Sequence, residues 1–84
     1  MGQIIKYPVA TEKAIRLMEL NNELVFIVDN KATKEDVKKA IEEMFKAKVE
    51  KVRITRLIKG VKKAYIKFSK ETNAIDIATQ LGMT

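Results

Sequence analysis

Val49-Glu50-Lys51-Val52-Arg53-Ile54-Thr55-Arg56-Leu57, followed after four residues by Lys62-Lys63-Ala64-Tyr65-Ile66-Lys67-Phe68-Ser69, is the stretch on which the fold turns. Apolar and polar residues alternate in both halves, the period-2 signature of a strand with one face buried. Ile58-Lys59-Gly60-Val61 lies between them as a tight connection, with glycine supplying a permissive dihedral. The expectation is an antiparallel hairpin. Val52, Ile54, Ala64, Ile66 and Phe68 fall on one face, for the core. Lys51, Arg53, Thr55, Lys63, Tyr65 and Lys67 fall on the other.

Upstream, Leu24-Val25-Phe26-Ile27-Val28 is an unbroken apolar run between Glu23 and Asp29. A run of this length, rich in β-branched residues, predicts a central strand covered on both faces. Thr33 to Ala47 predicts the clearest helix. Thr33 and Asp36 make a capping-box-like pair. Val37, Ala40, Ile41, Met44 and Phe45 then recur at helical spacing as one core-facing stripe. Glu35–Lys39 and Glu42–Lys46 are expected as i,i+4 pairs on its outer side. Ile4 to Tyr7 reads as a short strand closed by Pro8. Thr11 caps a helix to about Leu20 that buries Ala14, Ile15, Leu17, Met18 and Leu20 and stops at Asn21-Asn22. Thr72 or Asn73 caps a last helix carrying Ala74, Ile75, Ile77, Ala78 and Leu81, with Gly82 placed to end it. The order β-α-β-α-β-β-α predicts a single α+β domain over residues 1–84, a small antiparallel or mixed sheet with helices packed on it.

The hairpin coincides with a strong charge asymmetry. Lys46 to Lys70 contains ten basic residues and one acid, Glu50, for a local net of +9 within a chain of net +6. Such one-sided excess points to a polyanion, since each neutralised phosphate releases condensed counterions. Cations around Tyr65 suit RNA: lysines take phosphates, and the ring can stack on an unpaired base or donate to a phosphate. An anionic membrane surface is the rival. The competing plain reading is a solvated strand face whose lysines keep an edge from aggregating. Lys31-Ala32-Thr33-Lys34 offers a second anion site, with two lysines flanking a helix N-terminus. It also reads simply as a cap and a solvated turn.

Chemistry is hard to place on this chain. It has no cysteine and no histidine, so the usual nucleophile, general base and metal ligands are missing, and no metal or cofactor is expected. Ser69 is the only serine and has no evident base beside it. Three isolated glycines make no phosphate loop, and Glu35, Asp36, Glu42 and Glu43 interleave with lysines as a solvated face. An enzyme is not expected. The Met1-Gly2-Gln3-Ile4-Ile5-Lys6 start lacks a signal-peptide hydrophobic region, which implies a cytoplasmic protein. Three function classes stay open on the residues: an RNA-binding structural protein, a generic RNA- or DNA-binding module, and a protein-interaction or regulatory α+β domain.

Pro8-Val9-Ala10-Thr11-Glu12-Lys13, Phe26-Ile27-Val28-Asp29-Asn30-Lys31-Ala32-Thr33-Lys34 and Lys62-Lys63-Ala64-Tyr65-Ile66-Lys67 together resemble the ribosomal protein L23 family, in order and spacing along essentially the whole chain. The resemblance implies binding to large-subunit rRNA beside the mouth of the nascent-chain exit tunnel, contact with neighbouring ribosomal proteins, and docking of signal recognition particle or chaperones. By motif position it implies rRNA contacts for Lys62, Lys63, Tyr65 and Lys67, and for Lys31 and Lys34. Lys51 and Arg53 join them on the strand face. Glu12 matches the position used in factor docking. Phe68 departs from the leucine usual in the signature. The short connection at Ile58 to Val61 and the lack of a long basic N-terminal extension imply an archaeal-type member without a tunnel-lining loop. An isolated monomer, cytoplasmic with the ribosome, is the corresponding expectation.

Overall fold

A computed structural model of the chain describes residues 4–57 and 60–82. The elements follow as β1 (Ile5–Pro8), α1 (Glu12–Asn21), β2 (Glu23–Val28), α2 (Lys34–Phe45), β3 (Val49–Arg56), β4 (Lys62–Phe68) and α3 (Ala74–Gln80). The four strands form one antiparallel sheet in the order β1-β2-β4-β3. The α+β expectation and the element order hold.

The hairpin forms with the predicted faces, and its register sets Val52 opposite Ile66, Arg53 opposite Tyr65 and Ile54 opposite Ala64. Leu57 N–H donates to the Val61 carbonyl at 2.8 Å across the turn, and Gly60 takes φ +74°. A side chain at Gly60 would also crowd Asn30 Nδ2 at 3.1 Å, so the hairpin end lies against the loop after β2. Ile58 and Lys59 of the predicted connection lie outside the described residues. Alternation is broken once, between Val49 and Lys51, where the register shifts by a bulge. The extra residue, Glu50, lets Val49 and Val52 both face the core despite their odd spacing.

All three helices contribute to one core on one face of the sheet. Met18 of α1, Val37 and Ile41 of α2, and Ala74, Ile77 and Ala78 of α3 pack with Leu24, Phe26, Val28, Ala64, Ile66 and Phe68. The Val, Leu, Ile, Phe and Met side chains among them each contribute about 1.5–3 kcal/mol when fully buried. The run Leu24 to Val28 is buried throughout, as a central strand covered on both faces requires. Leu24, Phe26 and Val28 meet the helical core. Val25, on the opposite face, is covered from Val9, Ala14 and Leu17, which line a small notch with it and Tyr65.

Local signals start and stop the helices. Thr11 Oγ1 accepts from the Ala14 N–H, and Thr33 and Asp36 close a reciprocal capping box at 3.1 Å in each direction. Asn73, rather than Thr72, caps α3. Asn22 ends α1 in the left-handed region at φ 58°. Its side chain spans the fold: Nδ2 lies 2.8, 3.2 and 3.3 Å from the carbonyl oxygens of Thr72, Ser69 and Phe68, and Oδ1 accepts from the Ala74 N–H.

Five expectations need correction. Leu20 is 78% exposed, because it stands two residues past Met18 and so about 200° around the helix from the buried side. Met44 is 56% exposed: at the last turn of α2 it is Phe45 that turns inward, its ring 6.5 Å from that of Phe26. Ile75, in the first turn of α3, is exposed, while Ala74, Ile77 and Ala78 make the buried face. The Glu42–Lys46 pair is not made. Lys46 leaves the helix as a left-handed C-cap, and Glu42 Oε2 instead accepts from the Val49 N–H at 3.2 Å. Among the described residues the ion pairs are Lys48–Glu71 and Lys67–Glu50, so Glu35 and Lys39 do not pair either.

Candidate nucleic-acid interface

The sheet face turned away from the helical core carries three cross-strand rows. Lys51, Lys67 and Glu23 are register partners in the first; Arg53, Tyr65 and Val25 form the second; Thr55, Lys63 and Ile27 form the third. Five of the predicted site residues (Lys51, Arg53, Lys63, Tyr65 and Lys67) are therefore brought together on one surface, held by backbone pairing rather than by loops.

Lys51 directly opposite Lys67 is an unfavourable intramolecular pairing of like charges. It is partly offset by Glu50, whose Oε1 lies 3.8 Å from Lys67 Nζ, a solvent-screened contact at about half exposure on both sides. Tyr65 is the centre of the face. The Arg53 guanidinium lies over its ring, with Cζ 4.6 Å from the centroid, and Lys63 Nζ lies 6.0 Å away. One ring face is thus taken by the arginine.

Tyr65 also divides two depressions. A shallow one of about 140 Å³ is lined by Glu23, Lys51, Arg53, Tyr65 and Lys67. The notch on the other side, lined in part by Thr11, Lys13, Leu17, Lys63 and Tyr65, sits at the start of α1. Glu12 is exposed there as the first residue of α1, between Thr11 and Lys13. The basic face and the Glu12 corner are therefore neighbours.

The other predicted residues sit elsewhere. Lys62 occupies the opposite strand face, across from Val28 and Arg56, and its Nζ donates to the Ala32 carbonyl at 3.3 Å. It joins the loop of Lys31 and Lys34, both exposed. At the start of α2, however, the Thr33 and Asp36 N–H groups are already bonded within the capping box, and Glu35 and Asp36 add negative charge. What that loop offers an anion is two exposed lysines more than a helix terminus. The charge segment is divided as well: Lys46, Lys48 and Lys70 lie at the end of the hairpin away from its turn, and Lys59 lies outside the described residues.

Glu23 is the member of the face that sequence reasoning missed. It reads as the boundary of an apolar run. Only the pairing of β2 with β4, which no local pattern specifies, puts it opposite Lys67.

Among the described residues there is no group of three or more His, Cys, Asp or Glu able to hold a metal, and no helix is long and apolar enough to cross a membrane. Residues 3–78 match the family model described as Ribosomal protein L23. The chain is 49% identical over 80 residues to the large ribosomal subunit protein uL23 of Methanococcus vannielii, covering 95% of this chain and 93% of that protein.

Proposed function

This chain belongs to the ribosomal protein L23 family, a family of ribosomal structural proteins and not of enzymes, and on that premise we propose that it is a constituent of the large ribosomal subunit that binds large-subunit rRNA through the outer face of β3 and β4. The carrying observation is the convergence of Lys51, Arg53, Lys63 and Lys67 around Tyr65 on a face fixed by sheet pairing. A polyanion is engaged there with little side-chain ordering, because the strands already hold the spacing of the cations. The unfavourable Lys51–Lys67 pairing is relieved when a phosphate sits between them. The exposed Lys31 and Lys34, with Lys62 beside them, supply a second contact at the loop after β2.

In the same proposal the chain sits beside the mouth of the nascent-chain exit tunnel, in the cytoplasm with the ribosome. Exposed Glu12 and the adjoining notch at the start of α1 help dock factors that meet emerging chains, such as signal recognition particle or chaperones.

The test is co-sedimentation with the large subunit on a gradient, paired with gel shifts on large-subunit rRNA fragments, random RNA and duplex DNA. Co-sedimentation with preferential rRNA binding is expected. Equal affinity for all three nucleic acids would reduce the protein to a generic binder, and absence of binding at physiological salt would leave only a protein-interaction role.

A further inference from the structure

Glu23 is an acid on the face that the preceding reading gives to RNA, where a carboxylate repels phosphate. It is half-buried and directly across from Lys67, yet Lys67 Nζ pairs with Glu50, and among the described residues the Glu23 carboxylate makes no ion pair or hydrogen bond. It lines the depression of about 140 Å³ together with Lys51, Arg53, Tyr65 and Lys67. The wall of that depression is the Arg53 guanidinium backed by the Tyr65 ring, 4.6 Å away.

We propose that this depression is a base-reading site, which takes one unpaired guanine of the bound RNA. Three features act together. The guanidinium, seated over the tyrosine ring, is a stacking platform for a splayed-out base. Lys51 and Lys67 at the rim hold the phosphates that flank that nucleotide. Glu23 supplies two acceptor oxygens and no donor. Guanine presents two parallel donors on its Watson–Crick edge, N1–H and the N2 amino group, which match a carboxylate in a bidentate pair. Adenine and cytosine offer a single amino group beside a ring acceptor, and uracil sets one imino hydrogen between two carbonyls. Each of these leaves one carboxylate oxygen facing a lone pair, and a carboxylate left unsatisfied in the complex costs affinity. The acid is thus a discriminator within an otherwise sequence-blind cationic face.

The inference rests on the RNA-binding reading of the same face, so the experiment separates the two. The probes are four RNA hairpins identical except for a single-nucleotide bulge of G, A, C or U, titrated against the full chain and its Glu23→Gln variant. The expected result is a fivefold or greater preference for the G bulge in the unsubstituted protein. In Glu23→Gln the preference disappears while affinity for the other three hairpins is equal or higher, because a repelling charge has been removed. Arg53→Lys, which keeps the charge but loses the stacking plane, is expected to weaken all bulges toward the affinity of an unbulged hairpin. Equal binding of all four bulges that still falls on reversing Lys67 would overturn the guanine site and leave the RNA face standing. A G preference that survives Glu23→Gln would overturn it too. No binding of any hairpin would remove both readings.

Discussion

Lys51 on β3 and Lys67 on β4 stand directly opposite each other in the hairpin register, side chains on the same outward face. Two like charges held by backbone pairing weaken the isolated fold slightly and strengthen the attraction for any anion placed between them. On the proposed function, stability and binding pull in opposite directions at this one pair.

Charge reversal is therefore expected to act on binding and not on folding. Lys63→Glu with Lys67→Glu should weaken binding of a large-subunit rRNA fragment by roughly 10- to 100-fold near physiological salt. The circular dichroism spectrum should stay unchanged. With four cations on the face, the unsubstituted protein should show a log–log salt slope of about −3 on single-stranded segments, falling in magnitude by about 0.7 for each cation removed. Unchanged affinity in the double variant would remove the hairpin face from the site.

Glu12 separates a recruiting role from a structural one. It is exposed in the first turn of α1 and is not the capping residue, which is Thr11. Glu12→Ala should leave large-subunit assembly intact and weaken co-sedimentation of signal recognition particle or chaperones with the ribosomes. The loss of a first-turn acid costs at most about 0.3–1 kcal/mol through the helix dipole. An assembly defect instead would make Glu12 a structural residue.

Asn22 is expected to be the most sensitive polar position. Its amide ties the end of α1 to the connection between β4 and α3, reaching Phe68, Ser69, Thr72 and Ala74. Asn22→Gly keeps the left-handed backbone but loses these bonds, and should cost about 2–3 kcal/mol. Asn22→Ala adds the penalty of a Cβ at φ 58°, about 1 kcal/mol more. Urea denaturation of both variants resolves the order.

Phe26 and Leu20 make a matched contrast between two large apolar residues. Phe26 is 1% exposed and packs against Phe45, so Phe26→Ala should cost about 3–5 kcal/mol, enough to unfold a domain of this size near ambient temperature. Leu20 is 78% exposed, and Leu20→Ser should shift stability by less than about 0.5 kcal/mol. Thermal melts of the two report whether the core has been assigned to the correct faces of β2 and α1.

Much of this was legible in the sequence because it is local physics. Alternation over Lys62 to Phe68 sets which side chains share a face whatever the strand pairs with. The capping box at Thr33 and Asp36 depends on neighbours three residues apart. The Leu24 to Val28 run demanded cover on both sides before any cover was known. Less local features were misread for definite reasons. Met44 has the right helical angle for the core, but angle alone buries nothing unless a partner lies opposite, and Phe45 takes that place. Lys46 looked like the partner of Glu42 only while the helix was assumed to continue through it.

By itself the sequence determined the elements and the two faces of the hairpin, and its resemblance to a known family supplied the proposal of an rRNA partner. Tertiary structure decided which residues at long separation meet. The β1-β2-β4-β3 order is a matter of sheet packing with no local signature, and it placed Glu23 across from Lys67 and Val25 across from Tyr65. Alternation alone puts Lys62 on the face opposite Lys63; the fold then brings its Nζ to the Ala32 carbonyl, away from the cations around Tyr65. Charge along a chain is fixed by covalent order; charge on a surface is fixed by the strand register that the buried core selects.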